Sequence, residues 1–317
     1  MIDPFTHIHE LSGVVHVALL TNNDKRIVLL GDAHTPYKGL SCKKCHDDCY
    51  TVTRFIRSLA AYHKKQTPKS EFDVFIETYA PLGDSKQKKD LQQMIDIVKL
   101  EEKDKDQRHN PLLIFELRKE FSKDVYIHTA NTIRYHYVDV RITPYIEKRG
   151  LGLVSNSSCL HLIKLAYPTK AKINSTIVHI CFESRDPENR ISKQYHKLSQ
   201  SNKRLVRHFI EHRIQAIHKD NPYLQDETFG ACFFYLCCLL LDCYTICRFL
   251  RFFERQPPGS TTVYFAGALH TWTMMEFLTQ MNTKTVCIMN THPKKIKDLL
   301  NIGEFKTTSK CIRIRDE

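Results

Sequence analysis

The chain has 317 residues, of which 42% are hydrophobic and 26% charged, enough apolar material for a sizeable core and too much to leave the chain globally disordered. Lys and Arg outnumber Asp and Glu by 47 to 35, a formal charge of +12 that favours acidic partners such as nucleic acid, anionic lipid or an acidic substrate. The twelve cysteines do not form a secreted disulfide framework, because Cys232, Cys237, Cys238, Cys243 and Cys247 fall in one apolar run and read as buried hydrophobes of a reducing, cytosolic compartment.

Met1 to Thr6 read as a cloning scar outside the fold. Apolar runs over 14–20 and 26–30 flank Thr-Asn-Asn-Asp, so they predict a hairpin with a tight turn. The second run ends in Gly31-Asp32-Ala33-His34. A helix is expected over 51–63, where Phe55, Leu59 and Tyr62 recur at helical spacing. The short strand over 72–76 ends at Glu77. A helical insertion is expected over about 84–122, with strands over 125–128 and 135–141 after it. In the last of these, Tyr137, Asp139 and Arg141 share one face.

Residues 165–203 are mostly polar and predict an irregular joint. An amphipathic helix over 203–219, opened by Lys203 and closed by Lys219, presents Arg204, Arg207, His208, His212 and Arg213 outward. This basic face is the candidate nucleic-acid surface, and its plain alternative is a solvated helix face. A long helix over 229–253 is stopped by Gln256-Pro257-Pro258-Gly259. Its apolar part is shorter than the roughly 20 residues a membrane helix needs, so no membrane span is expected. A strand over 262–266 leads into Gly267-Ala268-Leu269-His270, and a helix, a strand over 285–289 and a basic helix from Pro293 follow. The fold expected over 7–317 is one α/β domain: a mixed, mostly parallel sheet with helices on both faces and helical insertions.

In such sheets ligands bind beyond the carboxyl ends of the strands. His34, Glu77, Arg141 and His270 each follow an apolar run, so shared parallel strands would bring them to one rim. His34, Glu77 and His270 form a candidate site for a divalent metal (Mn, Co or Zn) that activates water. Without metal, a His–Glu pair is a general base on water, and Arg141 neutralises an anionic substrate or developing oxyanion. Asp32, Asp139 and Asp242 are candidate supporting carboxylates, while Gly31 and Gly267 let substrate or backbone approach closely. The substrate expected is a small molecule or peptide. A third Gly-x-x-His match, Gly13 to His16, opens a strand rather than closing one and is set aside as coincidence. Cys42, Cys45, His46 and Cys49 have the spacing of a tight zinc knuckle, against a plain alternative of a thiol-bearing loop.

The order of these motifs resembles the TraB, Tiki and erythromycin-esterase-like superfamily. Its marks are an early Gly-x-x-His (Gly31 to His34), a glutamate (Glu77), an arginine (Arg141) and a late Gly-x-x-His (Gly267 to His270). The stretches from Leu241 to Arg251 and from Tyr264 to His270 also look like uncharacterised proteins of large DNA viruses. The resemblance implies hydrolysis: Tiki-like members are metal-dependent proteases, and the esterase branch opens an ester with His and Glu. A viral source implies host cytoplasm or the virion as location. The alternative is a non-catalytic viral protein that binds nucleic acid or a protein through its basic surface, the cluster being a relic of the fold.

Overall fold

A computed structural model describes residues 4–7, 10–12, 14, 16–32, 49–77, 133–141, 143, 146, 148, 149, 151, 167, 169–219, 229–290 and 311–313. The chain divides into two compact units, Met1–Tyr137 with Gln256–Glu317, and Val138–Arg255.

The first unit is built on a six-stranded sheet. In chain order its strands are β2 (His16–Asn22), β3 (Lys25–Asp32), β5 (Phe72–Ile76), β6 (Ile133–Tyr137), β7 (Thr261–Gly267) and β8 (Lys284–Asn290), in spatial order β6-β5-β7-β3-β2-β8. β6, β5, β7 and β3 pair in parallel, and β2 runs antiparallel to both β3 and β8. The sheet is therefore mixed and mostly parallel, an α/β fold. Its central strands are apolar on both faces: β5 (FDVFI) and β7 (TTVYFAG) are buried at every position. The β2–β3 hairpin closes through Asn23 and Asp24, both at positive φ (46° and 61°). Asn and Asp tolerate that region better than other side-chain-bearing residues.

One sheet face carries Val17, Leu19, Val28, Leu30, Val74, Ile76, Val263 and Phe265, and packs on helix α2 (Val52–Gln66) through Val52, Phe55, Ile56 and Leu59. Thr51 caps that helix by accepting a bond from the Arg54 N–H at 3.2 Å. Helix α7 (Ala268–Gln280) starts on the opposite face, where Ala268 and Thr271 close on Gly31. Helices thus lie on both faces of the sheet. A smaller sheet joins β4 (Cys49–Thr51), β1 (Glu10–Ser12) and β9 (Cys311–Arg313). Residues 4–6, set outside the fold on sequence grounds, belong to helix α1 (Pro4–His7), and the Phe5 ring meets Phe55 edge-on at 5.2 Å. Phe5 therefore packs on the core.

In the second unit the stretch expected to be irregular is largely helical. It holds α3 (Lys170–Val178), a π-helical turn (His179–Glu183) and α4 (Arg190–His196). Local caps start these helices: the Thr169 hydroxyl accepts from Lys172 N–H, and the Asn189 side chain accepts from the N–H groups of Ile191 and Ser192. Ile173, Ile177 and Ile180 supply an apolar stripe that the polar composition masks. α5 (Gln200–Lys219) and α6 (Phe229–Phe253) complete the unit. Among the described residues, no helix is long and apolar enough to cross a membrane. The expected insertion over 84–122, the strand over 125–128 and the basic helix from Pro293 lie outside the described residues.

Candidate active site at the strand ends

Glu77 continues β5 beyond its last paired residue, its N–H donating to Phe265 O at 3.0 Å. That bond carries the glutamate to the end of the neighbouring strand β7, where the chain turns into α7. There Glu77 Oε2 accepts the Gly267 backbone N–H at 2.6 Å. Glu77 Oε1 lies 3.3 Å from His270 Nε2. Both side chains are buried, with 2% of the glutamate and 4% of the histidine side chain exposed, so their contact is shielded from water. Gly267 is the N-cap of α7 and supplies no side chain to cap it. A carboxylate from the adjacent strand is placed at that helix start, where the dipole favours negative charge.

The rim continues along the sheet. Asp32, at the end of β3, is in register with Gly267 and is 1% exposed. His16 lies in register with Gly31 on one side and Asn290 on the other. β2 runs against its neighbours, so its first residue sits at the rim where β3 and β7 finish. The His16 ring is buried and meets Trp272 edge-on at 5.9 Å. Sequence reasoning set His16 aside because it opens a strand. The predicted hairpin was the signal that reverses this: the start of the first strand lies beside the end of the second.

Gly31 acts through backbone approach. A Cβ there would stand 2.6 Å from Thr271 Oγ1, 2.9 Å from His16 Cβ and 3.1 Å from Ala268 Cα. Its role is to let α7 and β2 close over the strand end.

Arg141 and Asp139 belong to the second unit, and the strand expected to carry them ends before them, at Tyr137. Asp139 Oδ1 accepts bonds from Arg141 N at 3.0 Å and Arg141 Nε at 3.1 Å, and its Oδ2 takes Nη2 at 3.0 Å. The pair is bidentate, and the backbone bond turns the chain out of the ladder. Asp242 is buried in α6 of the same unit. The thiols of Cys181 and Cys243 are pushed well up by burial, which keeps them protonated and poor nucleophiles.

His34, Cys42, Cys45 and His46 lie outside the described residues, and Cys49 is described only as backbone in β4. Among the described residues, no group of three or more His, Cys, Asp or Glu is placed to hold a metal ion. Glu77 and His270 supply two of the three expected donors.

A second buried polar network, unforeseen from the sequence, lies lower on the same strands. Asp73 is fully buried, with Oδ1 2.6 Å from His136 Nε2 and 2.7 Å from Arg134 Nε. Gln256 Nε2 donates to Asp73 and to Thr262 Oγ1, and Arg134 also clasps Glu71. The His136 ring stacks on Phe75 at 4.3 Å. Burial alone would raise the Asp73 carboxyl; the hydrogen bonds and charges of His136 and Arg134 outweigh it and hold it at about 2. A charged Asp inside an apolar strand is the signal that such partners exist.

No protein-family model, curated protein or solved structure matches the chain.

Proposed function

We propose that the protein is a hydrolase of ester or peptide bonds whose working centre is the Glu77–His270 pair. The observation that supports this reading most is the double hold on Glu77, by the Gly267 N–H on one oxygen and by His270 on the other. A carboxylate fixed in that way orients the imidazole and balances its charge when it takes up a proton. With His270 Nε2–H donated to Glu77, its Nδ1 is the basic nitrogen and removes the proton from an attacking water. Asp32 and His16 supply further polar groups at the same rim, and His34 follows Asp32 by two residues in the chain.

The metal-dependent form of the proposal adds His34 to Glu77 and His270 as ligands of Mn, Co or Zn. When bound, such a metal supplies a water of lowered pKa. Imidazole and carboxylate are the donors such an ion takes, and these two stand 3.3 Å apart. The motif order from Gly31 to His270 supports placing the chain with the TraB, Tiki and erythromycin-esterase-like proteins, and a viral source belongs to the same proposal.

The test is turnover of ester and peptide substrate panels by the full chain, with elemental analysis of the purified protein and a chelator arm. Glu77→Gln and His270→Ala should each lower turnover by about 100-fold or more while the fold persists by circular dichroism. His34→Ala should lower bound metal and turnover together if the metal form holds. Turnover unchanged in Glu77→Gln and His270→Ala overturns the proposal.

A further inference from the structure

The helices α4, α5 and α6 meet at one corner of the second unit. Arg251 Nη1 of α6 donates to Gln194 Oε1 of α4, and Asn202 Nδ2 of α5 donates to Glu254 Oε1 just past the end of α6. These bonds place the last turn of α6 beside α4 and the first turn of α5. Arg248 and Arg251 stand three residues apart on α6, and Arg255 follows in the turn just past its end. Lys193 and Lys197 flank Gln194, and Lys203 follows Asn202.

The charge at this corner is poorly balanced. Over residues 169–219 and 229–255, Lys and Arg outnumber Asp and Glu fourteen to six. Among the described residues, Lys193, Lys197, Lys203, Arg251 and Arg255 form no ion pair. Glu254 lies at the same corner and keeps its charge, its partner Asn202 being neutral, whereas Glu188 pairs with Lys148, and Glu183 and Glu211 with Arg207. Burial lowers the Arg251 guanidinium, and the like charges of Arg255 and Arg248 lower it further. Arg251 and Arg255 lie at a helix C-terminus, where the dipole offsets part of their repulsion. Lys203 lies in the first turn of α5, which has no acidic residue, and there the same dipole adds to the repulsion.

We propose that this corner binds nucleic acid through its phosphate backbone, without reading sequence. The seat differs from the one expected on α5: on that helix Arg207 is held by Glu211 at 2.8 Å and by Glu183 at 3.6 Å, which leaves it less charge to offer. Cations spread over three helices fit an extended polyanion better than a single phosphate. A lipid surface fits less well, since the exposed large hydrophobic side chain among the described residues is Val286, in the first unit. The inference stands independently of the hydrolase proposal.

The test is fluorescence anisotropy of the full chain with labelled oligonucleotides of about 30 nucleotides, single-stranded and duplex, between about 50 and 200 mM salt. The wild type should bind both, with affinity falling steeply with salt. Lys197→Gln/Arg251→Gln/Arg255→Gln should weaken binding by about tenfold or more and reduce the salt slope by about 1 per cation removed. Lys197→Gln/Arg255→Gln keeps the Arg251–Gln194 bond and should give about two-thirds of that slope change, which separates lost charge from lost fold. Arg207→Gln should change little. The proposal is overturned by no binding, by an unchanged slope in the triple variant, by an equal loss in Arg207→Gln, or by binding to phosphatidylserine vesicles and not to oligonucleotides.

Discussion

Thr271 Oγ1 lies 2.6 Å from the point where a Cβ on Gly31 would stand, so the last-but-one residue of β3 and the first turn of α7 fit only while Gly31 has no side chain. His16 Cβ, at 2.9 Å, and Ala268 Cα, at 3.1 Å, close the same point from other directions. The hydroxyl can rotate away; the other two atoms belong to or adjoin backbone. Gly31→Ala should therefore cost about 1–3 kcal/mol, the usual range for overpacking a filled core. Urea denaturation reads this as a lower midpoint. Thr271→Ala in the same chain should recover only part of the loss, and a midpoint unmoved by Gly31→Ala contradicts the packing argument.

The sequence displays those parts of this rim whose signal is local. β5 and β7 are continuous apolar runs, so their ends, and with them Glu77 and His270, are visible without coordinates. Their meeting is not local: the contact needs β5 and β7 to be neighbours in parallel, a pairing that joins distant segments. His16 was hidden by direction, since a strand start becomes a rim residue only when the strand is antiparallel. Arg141 was misplaced by alternation. The pattern from Tyr135 to Arg141 reads as strand, but Asp139 binds the Arg141 backbone N–H and ends the ladder after Tyr137. A short polar side chain that offers the backbone a local bond competes with pairing, and period alone does not register it. The helices between Thr169 and His196 were obscured in the same way, their caps being polar residues that lower the apparent hydrophobicity of the stretch.

The Asp73 network predicts a specific acid limb. The carboxyl is held at about 2 in the folded chain, below its ordinary value of 3.8. The unfolded chain therefore takes up the proton first as pH falls. The stabilisation is full above about 3.8 and is lost as pH drops to about 2, on the order of 2 kcal/mol for this group. Asp73→Asn should lower stability at neutral pH and flatten the dependence across that window. His63 acts at higher pH. Burial lowers its imidazole below 6.5, so stability also declines as pH falls beneath 6.5, and this part should persist in Asp73→Asn. Denaturation midpoints from about pH 2 to 8 distinguish the two groups. An Asp73→Asn curve parallel to the wild type below pH 4 removes the carboxylate from the account.

In the second unit Arg141 and Asp139 are only 10% and 5% exposed in their side chains, and the two are joined by a bidentate pair with a backbone bond added. A buried pair of this kind contributes little relative to an apolar replacement of both members, while removing one member alone leaves a charge that water no longer solvates. Asp139→Ala should therefore be strongly destabilising, by about 3 kcal/mol, reduced in so far as solvent reaches the guanidinium. Asp139→Asn keeps an acceptor for the Arg141 N–H and should cost less. The double variant Asp139→Ala/Arg141→Ala should be no worse than Asp139→Ala alone, because the buried guanidinium that lost its carboxylate goes with the second change. A double-mutant cycle on denaturation midpoints then gives a coupling energy of about 1–3 kcal/mol. Strict additivity of the two single changes would show that the pair seen between these side chains contributes nothing in solution. In that event Arg141 would owe its position to its other surroundings, such as the Cys238 thiol 3.9 Å from Nη1.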